Sequence, residues 1–490
     1  MNTSRLRGMT ARKKKVPKPI PSWYMREEYW LLLLRCMFYA VIVLRYLYPF
    51  VHNPYNFLTS DPAVHWGCGI KFFTKNDYCY SMPKLFQVWV YLNYTTQQLL
   101  PESFAWPVMA FYAGVLSAVL PWGWYRALKE IFTRKQAYIV AIAIGVTPSL
   151  VHIYAFLMNE TITLAITPLV FWTCFRAARK REMKAFLLAI FVGTLAMTAK
   201  FSLLPLVLLA FGYAYHYQPK PLRSAIYALM VIYAVMFAFK MHSYLLSQGK
   251  STAALRNTNV VQMARLSSNT MMVEHNKWGY FWSASPSMYV EPLAPLSHFS
   301  TYRKGEFVMN NMDGSLNRDL IVEMLRSQQT PEKWFRDLLE NNVFLFFSPS
   351  WPDMGYTWDR LQVHTRWIWA PIMLFMLFVM PFRRWPKELN LILLSAWSLT
   401  VILMLQQIVI MEGRYRKPIE PLLLICFFGA IFNWRSSGAP VKRTKKTQND
   451  NMYGFIVHLY ILMGIARAKL IWHILKTMWE NLQAKGLGSR

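Results

Sequence analysis

Charge is scarce in this chain. Asp, Glu, Lys and Arg make up 16% of its 490 residues, where a soluble domain carries about 25%. That shortage, joined to repeated apolar runs of about 20 residues, excludes an ordinary soluble globule and points to an integral membrane protein. Cysteine is sparse as well, with five residues at positions 36, 68, 79, 174 and 426. None has the spacing of a zinc site. Cys36, Cys174 and Cys426 fall in apolar segments and read as packing residues. Cys68 and Cys79 share one loop, where a disulfide and two free thiols are both open readings. No internal repeat of transporter type is visible, and the two halves differ in loop length. The N-terminus, MNTSRLRGMTARKKKVPKPIP, lacks the apolar core of a signal peptide. It reads as a disordered basic arm, residues 1–28, lying on the cytoplasmic side near anionic lipid.

What the chain has in quantity is oil and positive charge. Hydrophobic residues reach 55%, and 54 Lys and Arg outweigh 24 Asp and Glu for a formal charge of +30. Such a charge alone suggests nucleic acid. In a membrane protein it follows from the collection of Lys and Arg in cytoplasmic loops, so no nucleic-acid partner is expected. Apolar segments are predicted at about 29–50, 104–122, 137–155, 160–176, 184–198, 201–217, 222–245, 366–382, 388–410 and 417–433. With ten spans and the N-terminus inside, the basic stretches 125–135, 176–184, 218–224, 382–388 and 433–446 all fall on the cytoplasmic side, as the positive-inside rule requires. Residues 51–103, 155–160, 198–201, 246–365 and 410–416 then face the other side. The expected fold is an all-α polytopic membrane protein of about ten transmembrane helices. Helices one to seven occupy 29–245, with an extracytoplasmic loop at 51–103. A large extracytoplasmic loop follows at 246–365, and helices eight to ten occupy 366–433. Residues 434–490 are expected to form a basic linker and an amphipathic helix on the cytoplasmic surface. An eleventh span there is the competing reading.

The polar residues on the extracytoplasmic side are the candidates for chemistry, because charge at membrane depth is costly and usually functional. FLTSDPAVHWGCG, residues 57–69, holds Asp61 just after the first span. A carboxylate at the mouth of a membrane cavity is a candidate general base. Its plainer role is a helix cap, with Pro62 in the first turn. His65 falls one helical turn later, on the same face. Glu160 sits in a short turn before the fourth span, where the helix dipole also favours an acid. Lys200 lies at the fifth turn of the bundle, where a snorkelling lysine is the plain alternative. GRYRKPIEP, residues 413–421, puts Arg414, Arg416 and Lys417 where the positive-inside rule allows few cations. Arginine grips phosphate oxygens bidentately, so a lipid phosphate fits; pairing with Glu412 or Glu420 is the alternative.

The order and placement of these motifs resemble the GT-C superfamily of membrane glycosyltransferases, which includes protein O-mannosyltransferases and bacterial aminoarabinose transferases of lipid A. The likeness covers about residues 25–433. It rests on LTSDPAVHWG after the first span, MNETITLAITPL (158–169) before the fourth, a long loop after the seventh, and RYRKPIEP (414–421). Many members carry Asp-Glu in the first loop; here Pro62 follows Asp61, leaving a single acid. The resemblance implies a polyprenyl-phosphate sugar donor and a glycan, lipid or protein acceptor, with inverting transfer on the extracytoplasmic face of a bacterial inner membrane. It implies Asp61 as base and Glu160 as a second catalytic residue that positions hydroxyls. Lys200, Arg414 and Arg416 would hold the donor phosphate. His65, Trp66, Tyr302, Arg303 and Tyr415 would line the sugar and acceptor pocket, with Trp351 and Asp353 further loop candidates. It calls for no cofactor or metal, though a divalent ion is compatible with it. A transporter or flippase for a lipid-linked or anionic substrate, and an O-antigen polymerase or ligase, are the competing readings. The charges cluster at one face under a long loop, and the early acid of SDPAVHW is present, which together favour the glycosyltransferase.

Overall fold

The computed structural model describes residues 22–55, 61–73, 83–247, 345–346, 357–378, 385–406 and 413–436. Its two compact units are 1–432 and 433–490, and beyond Ser436 the second lies outside the described residues. Every described regular element is helical. The first three are α1 (Ser22–Val51), α2 (Asp61–Ile70) and α3 (Lys84–Leu99). There follow α4 (Glu102–Leu128), α5 (Arg134–Val146), α6 (Pro148–His152) and α7 (Asn159–Lys180). Next come α8 (Met183–Ala199), α9 (Leu204–His216) and α10 (Pro221–Ser247). The last are α11 (Thr357–Phe378), α12 (Lys387–Gln406) and α13 (Glu420–Ser436).

Each of the ten apolar segments expected from the sequence contains a helix. Among the described residues, four helices are long and apolar enough to cross a membrane: Glu28–Val51, Glu102–Leu128, Asn159–Lys180 and Pro221–Phe239. A fifth span arises if Arg134–Val146 and Pro148–Ala155, bent by 62°, count as one. Met183–Ala199, Phe201–His216, Ile368–Phe378 and Glu420–Phe432 are shorter apolar helices. The chain is an all-α membrane protein.

Burial separates an inner from an outer set of helices. The apolar window of α7 is 83% buried, whereas those of α1 and α10 are 17% and 11% buried. On the outer helices Leu44, Leu222, Leu229 and Tyr233 are more than half exposed. Apolar faces of that extent suit lipid rather than water. The central helix tolerates threonines because their hydroxyls donate back along it. Thr163, Thr167 and Thr173 bond the carbonyls of Asn159, Thr163 and Leu169 at 2.9, 2.7 and 2.8 Å, so no hydroxyl is stranded in oil.

Two features depart from the expected layout. Loop 51–103 holds two helices, α2 and α3, which pack on each other; α3 also rests on α4 and α8. Periodicity missed them because α3 is short and mixes Gln, Asn and Thr with its aromatics. The third segment, expected as one span over 137–155, breaks at Thr147. Pro148 has no N–H to donate and pushes the residue before it out of the helical region. Thr147 accordingly sits at φ −61°, ψ 118°. The eighth segment begins earlier than expected, at Thr357. The large loop, apart from the end of α10, Leu345–Phe346 and the start of α11, lies outside the described residues.

The basic connections gather at one end of the bundle. Arg179 Nη1 meets Glu130 Oε2 at 2.8 Å, tying the α7–α8 turn to the α4–α5 turn. The rings of Phe132 and Phe432 lie 5.6 Å apart, and Tyr213 Oη donates to Glu388 Oε1 at 2.9 Å. Arg181 closes α7 in the left-handed conformation, φ 55°, and stands 6.0 Å over Tyr217. Residues 125–135, 176–184, 217–220 and 385–388 thus share one end.

Candidate functional site

The opposite end carries the polar residues. Asp61 is the first residue of α2, which agrees with the reading of SDP as a helix start; its side chain lies outside the described residues. About one turn along α2, His65 and Trp66 are packing residues here. The His65 ring stands edge-on to Phe86 at 5.0 Å, and Trp66 meets Tyr55 at 5.8 Å and Tyr94 at 6.2 Å. Tyr55 donates to Asn93 Oδ1 at 2.6 Å, locking the end of α1 onto α3. Beneath them Tyr55, Phe86, Val90, Met109, Leu157, Ile162 and Ala199 form one apolar cluster. Leu157 and Ile162 bracket Glu160, and Ala199 precedes Lys200. The α2–α3 pair is therefore seated on the two short connections that carry those charges.

Glu160 and Lys200 are partners. Lys200 Nζ reaches Glu160 Oε1 at 2.7 Å, with side chains 12% and 2% exposed. Lys200 also stands 5.0 Å over the ring of Tyr415. The sequence reading gave these two charges separate tasks; the fold brings them together and adds Tyr415 as a third member. A buried charge needs such a partner.

Beside Tyr415, the motif RYRKPIEP folds into a compact ionic knot. Arg416 Nε donates to Glu420 Oε1 at 2.5 Å and its Nη1 to the Leu345 carbonyl at 2.9 Å. Lys417 Nζ lies 3.9 Å from Glu420 Oε2. Ser149 Oγ donates to Glu420, and Lys417 donates to the Ser149 carbonyl. Arg416, Lys417 and Glu420 are all buried. Pairing with Glu420, the alternative weighed from the sequence, is what Arg416 and Lys417 do. Arg414 lies in the short 3-10 turn Gly413–Arg416, with its side chain outside the described residues.

The sequence reading passed over three residues of this region. Arg45, in the last third of α1, is 3% exposed. It donates to the Leu150 carbonyl at 2.8 Å and the Ser117 carbonyl at 3.3 Å, and lies 4.7 Å over Tyr154. α6 is too short to bond its own last carbonyls. Arg45 caps Leu150 from one side and Lys417 caps Ser149 from the other. Its signal was an arginine inside LRYLYPF, six residues from the span end. Ser149 is the second, placed by the break at Pro148. Arg366 on α11 is the third, buried and within electrostatic reach of Arg416.

Thr147, Ser149, Arg366, Trp369, Arg416 and Glu420 are among the residues lining one small pocket here. Arg366 and Arg416 line this pocket together with Glu420, and Lys417 lies within electrostatic reach of both Glu420 and Glu160. Two guanidiniums lining one pocket suit phosphate. Tyr302, Arg303, Trp351, Asp353 and Cys79 lie outside the described residues. Cys68 is disulfide-bonded, whereas Cys36, Cys174 and Cys426 carry free thiols.

No curated protein matches the chain. Residues 98–245, which span α4 to α10 and carry Glu160 and Lys200, match the family model of dolichyl-phosphate-mannose-protein mannosyltransferases. With the apolar helical bundle, that match supports a membrane glycosyltransferase of the GT-C kind.

Proposed function

We propose that the protein moves a sugar from a polyprenyl-phosphate donor to an envelope glycan, lipid or protein acceptor. The reaction takes place on the extracytoplasmic face of a bacterial inner membrane. The acceptor hydroxyl oxygen attacks the anomeric carbon, and the bond from that carbon to the phosphate oxygen breaks with inversion. Asp61 takes the hydroxyl proton, and the polyprenyl phosphate leaves with the bonding electrons. Arg416 and Arg414, with Arg366 beside them, hold the phosphate as negative charge grows on its leaving oxygen. Glu160, too buried to meet a hydroxyl, holds Lys200 toward the same end. Tyr415 shields that pair.

The observation that carries this reading is that two guanidiniums, Arg366 and Arg416, line one pocket at the end of the bundle where α2 begins with Asp61. The matching family acts on a lipid-phosphate sugar, and such a donor brings a phosphate that guanidiniums can grip. Mass spectrometry of envelope glycolipids and glycoproteins, with and without the gene, tests it. Loss of one sugar from a defined acceptor is the expected result. An unchanged glycan profile with altered uptake of a solute overturns it in favour of a transporter.

A further inference from the structure

The other end of the bundle holds a site that the proposed reaction does not use. Gly123 on α4 faces Pro168 on α7 so closely that a Cβ there would come within 2.9 Å of the proline ring. That close packing brings Trp122 and Trp172 edge to face at 5.8 Å. One turn beyond each indole is an arginine. Arg126 lies 4.8 Å over the Trp172 ring and 5.8 Å over Trp122; Arg176 lies 5.9 Å over Trp172. Two guanidiniums from two helices therefore converge on one indole. Arg126 stands in the last turn of α4, where the helix dipole favours a cation, and Arg176 one turn before the end of α7.

Their charge is not matched locally. Stretches 125–135 and 176–184 hold nine Lys and Arg against Glu130 and Glu182. Both acids are engaged elsewhere: Glu130 by Arg179 at 2.8 Å and Glu182 by Lys180 at 3.6 Å. Among the described residues, Arg126 and Arg176 form no ion pair. Stacking on the indoles keeps each guanidinium's edge, with its N–H donors, pointed away from the ring. Trp122 is 38% exposed, so the pair of indoles offers an apolar flank beside the cations. Tryptophan at such a helix end marks the boundary between hydrocarbon and headgroups.

We propose that Arg126, Arg176, Trp122 and Trp172 form a binding site for the phosphate headgroup of an anionic phospholipid, with the indoles against its glycerol and upper acyl carbons. The site is separate from the donor cleft and does not depend on the sugar-transfer reading.

The full chain in nanodiscs tests it. Wild-type protein in phosphatidylcholine is compared with the same discs containing phosphatidylglycerol. Retained lipid is counted by native mass spectrometry and unfolding temperature is measured. Wild type should retain phosphatidylglycerol and gain thermal stability from it. R126Q/R176Q should bind it roughly 25-fold more weakly, about 2 kcal/mol at 1.4 kcal/mol per tenfold, from about 1 kcal/mol for each cation near an anionic surface. A charge-matched control, K129Q/K184Q, should keep most of the preference. If R126Q/R176Q does not yield folded protein, R126K/R176K replaces it and should retain measurably less phosphatidylglycerol than wild type, because it keeps the charge but loses the planar, stacked fork. Equal retention by wild type and variants overturns the site. So does equal loss in K129Q/K184Q, which would show only diffuse charge. Full stabilisation of wild type by inorganic phosphate overturns the lipid assignment.

Discussion

Replacing Glu160 by glutamine is the sharpest probe of the polar end. The side chain keeps its size and an acceptor oxygen but loses its charge. Lys200 is then left with an amide at 2.7 Å, the Tyr415 ring at 5.0 Å and little water. Breaking a buried pair by removing one partner costs about 3–5 kcal/mol. Against that, the lysine keeps a cation–π contact worth up to about 2 kcal/mol and a small exposed fraction. A loss of about 2–3 kcal/mol is therefore expected for E160Q. K200M should cost more, about 3–5 kcal/mol, because it leaves a carboxylate that is 2% exposed without its ammonium. The double variant removes both charges and should recover at least about 2 kcal/mol of the summed loss. Chemical unfolding in one defined detergent, followed by tryptophan fluorescence, gives all three values. Losses that add to within about 0.5 kcal/mol would refute the claim that the pair is a coupled, buried unit.

Other residues give separate readouts. S149A removes a hydroxyl donor from buried Glu420 and should cost about 1.5–3 kcal/mol in the same unfolding assay, as for hydrogen bonds to charged groups. R45M should cost about 1–3 kcal/mol by leaving the Leu150 carbonyl uncapped, and R45K should not fully restore it, because one ammonium cannot reach two carbonyls and stack on Tyr154. R416A should raise the KM for a lipid-phosphate sugar about tenfold or more while changing the acceptor KM little, read from initial rates with each substrate varied in turn.

Positions of the apolar helices, though not of α2 and α3, were legible in the sequence because apolar length and basic connections are local signals. The end-to-end contacts of Arg179 with Glu130 and Tyr213 with Glu388 agree with the sorting that charge alone suggests. The broken third segment was not read, although TPS at 147–149 contains its cause. Apolarity runs straight through Pro148, and hydropathy does not register a missing N–H. At the site, Glu160, Lys200 and Arg416 stood out as charges in the wrong place for a membrane. Their partners were harder to see. Ser149 and Glu420 are 271 residues apart, and nothing local says that a serine after a proline will meet that acid. Arg45 was hidden for the opposite reason. Six residues from a span end, it reads as a lipid-facing cation, and only the approach of α4 and α6 turns it inward. Arg366 was passed over as the first residue of the expected eighth span, because the helix carrying it starts earlier than its apolar part.

The central claim is sugar transfer from a polyprenyl phosphate with Asp61 as base. Single-turnover transfer by purified wild type and D61N, each with labelled polyprenyl-phosphate sugar and acceptor, tests it most directly. The account predicts that D61N is folded, binds donor as wild type does, and transfers at least about 1,000-fold more slowly, the upper part of what a general base contributes. Transfer by D61N within a factor of a few of wild type would contradict it.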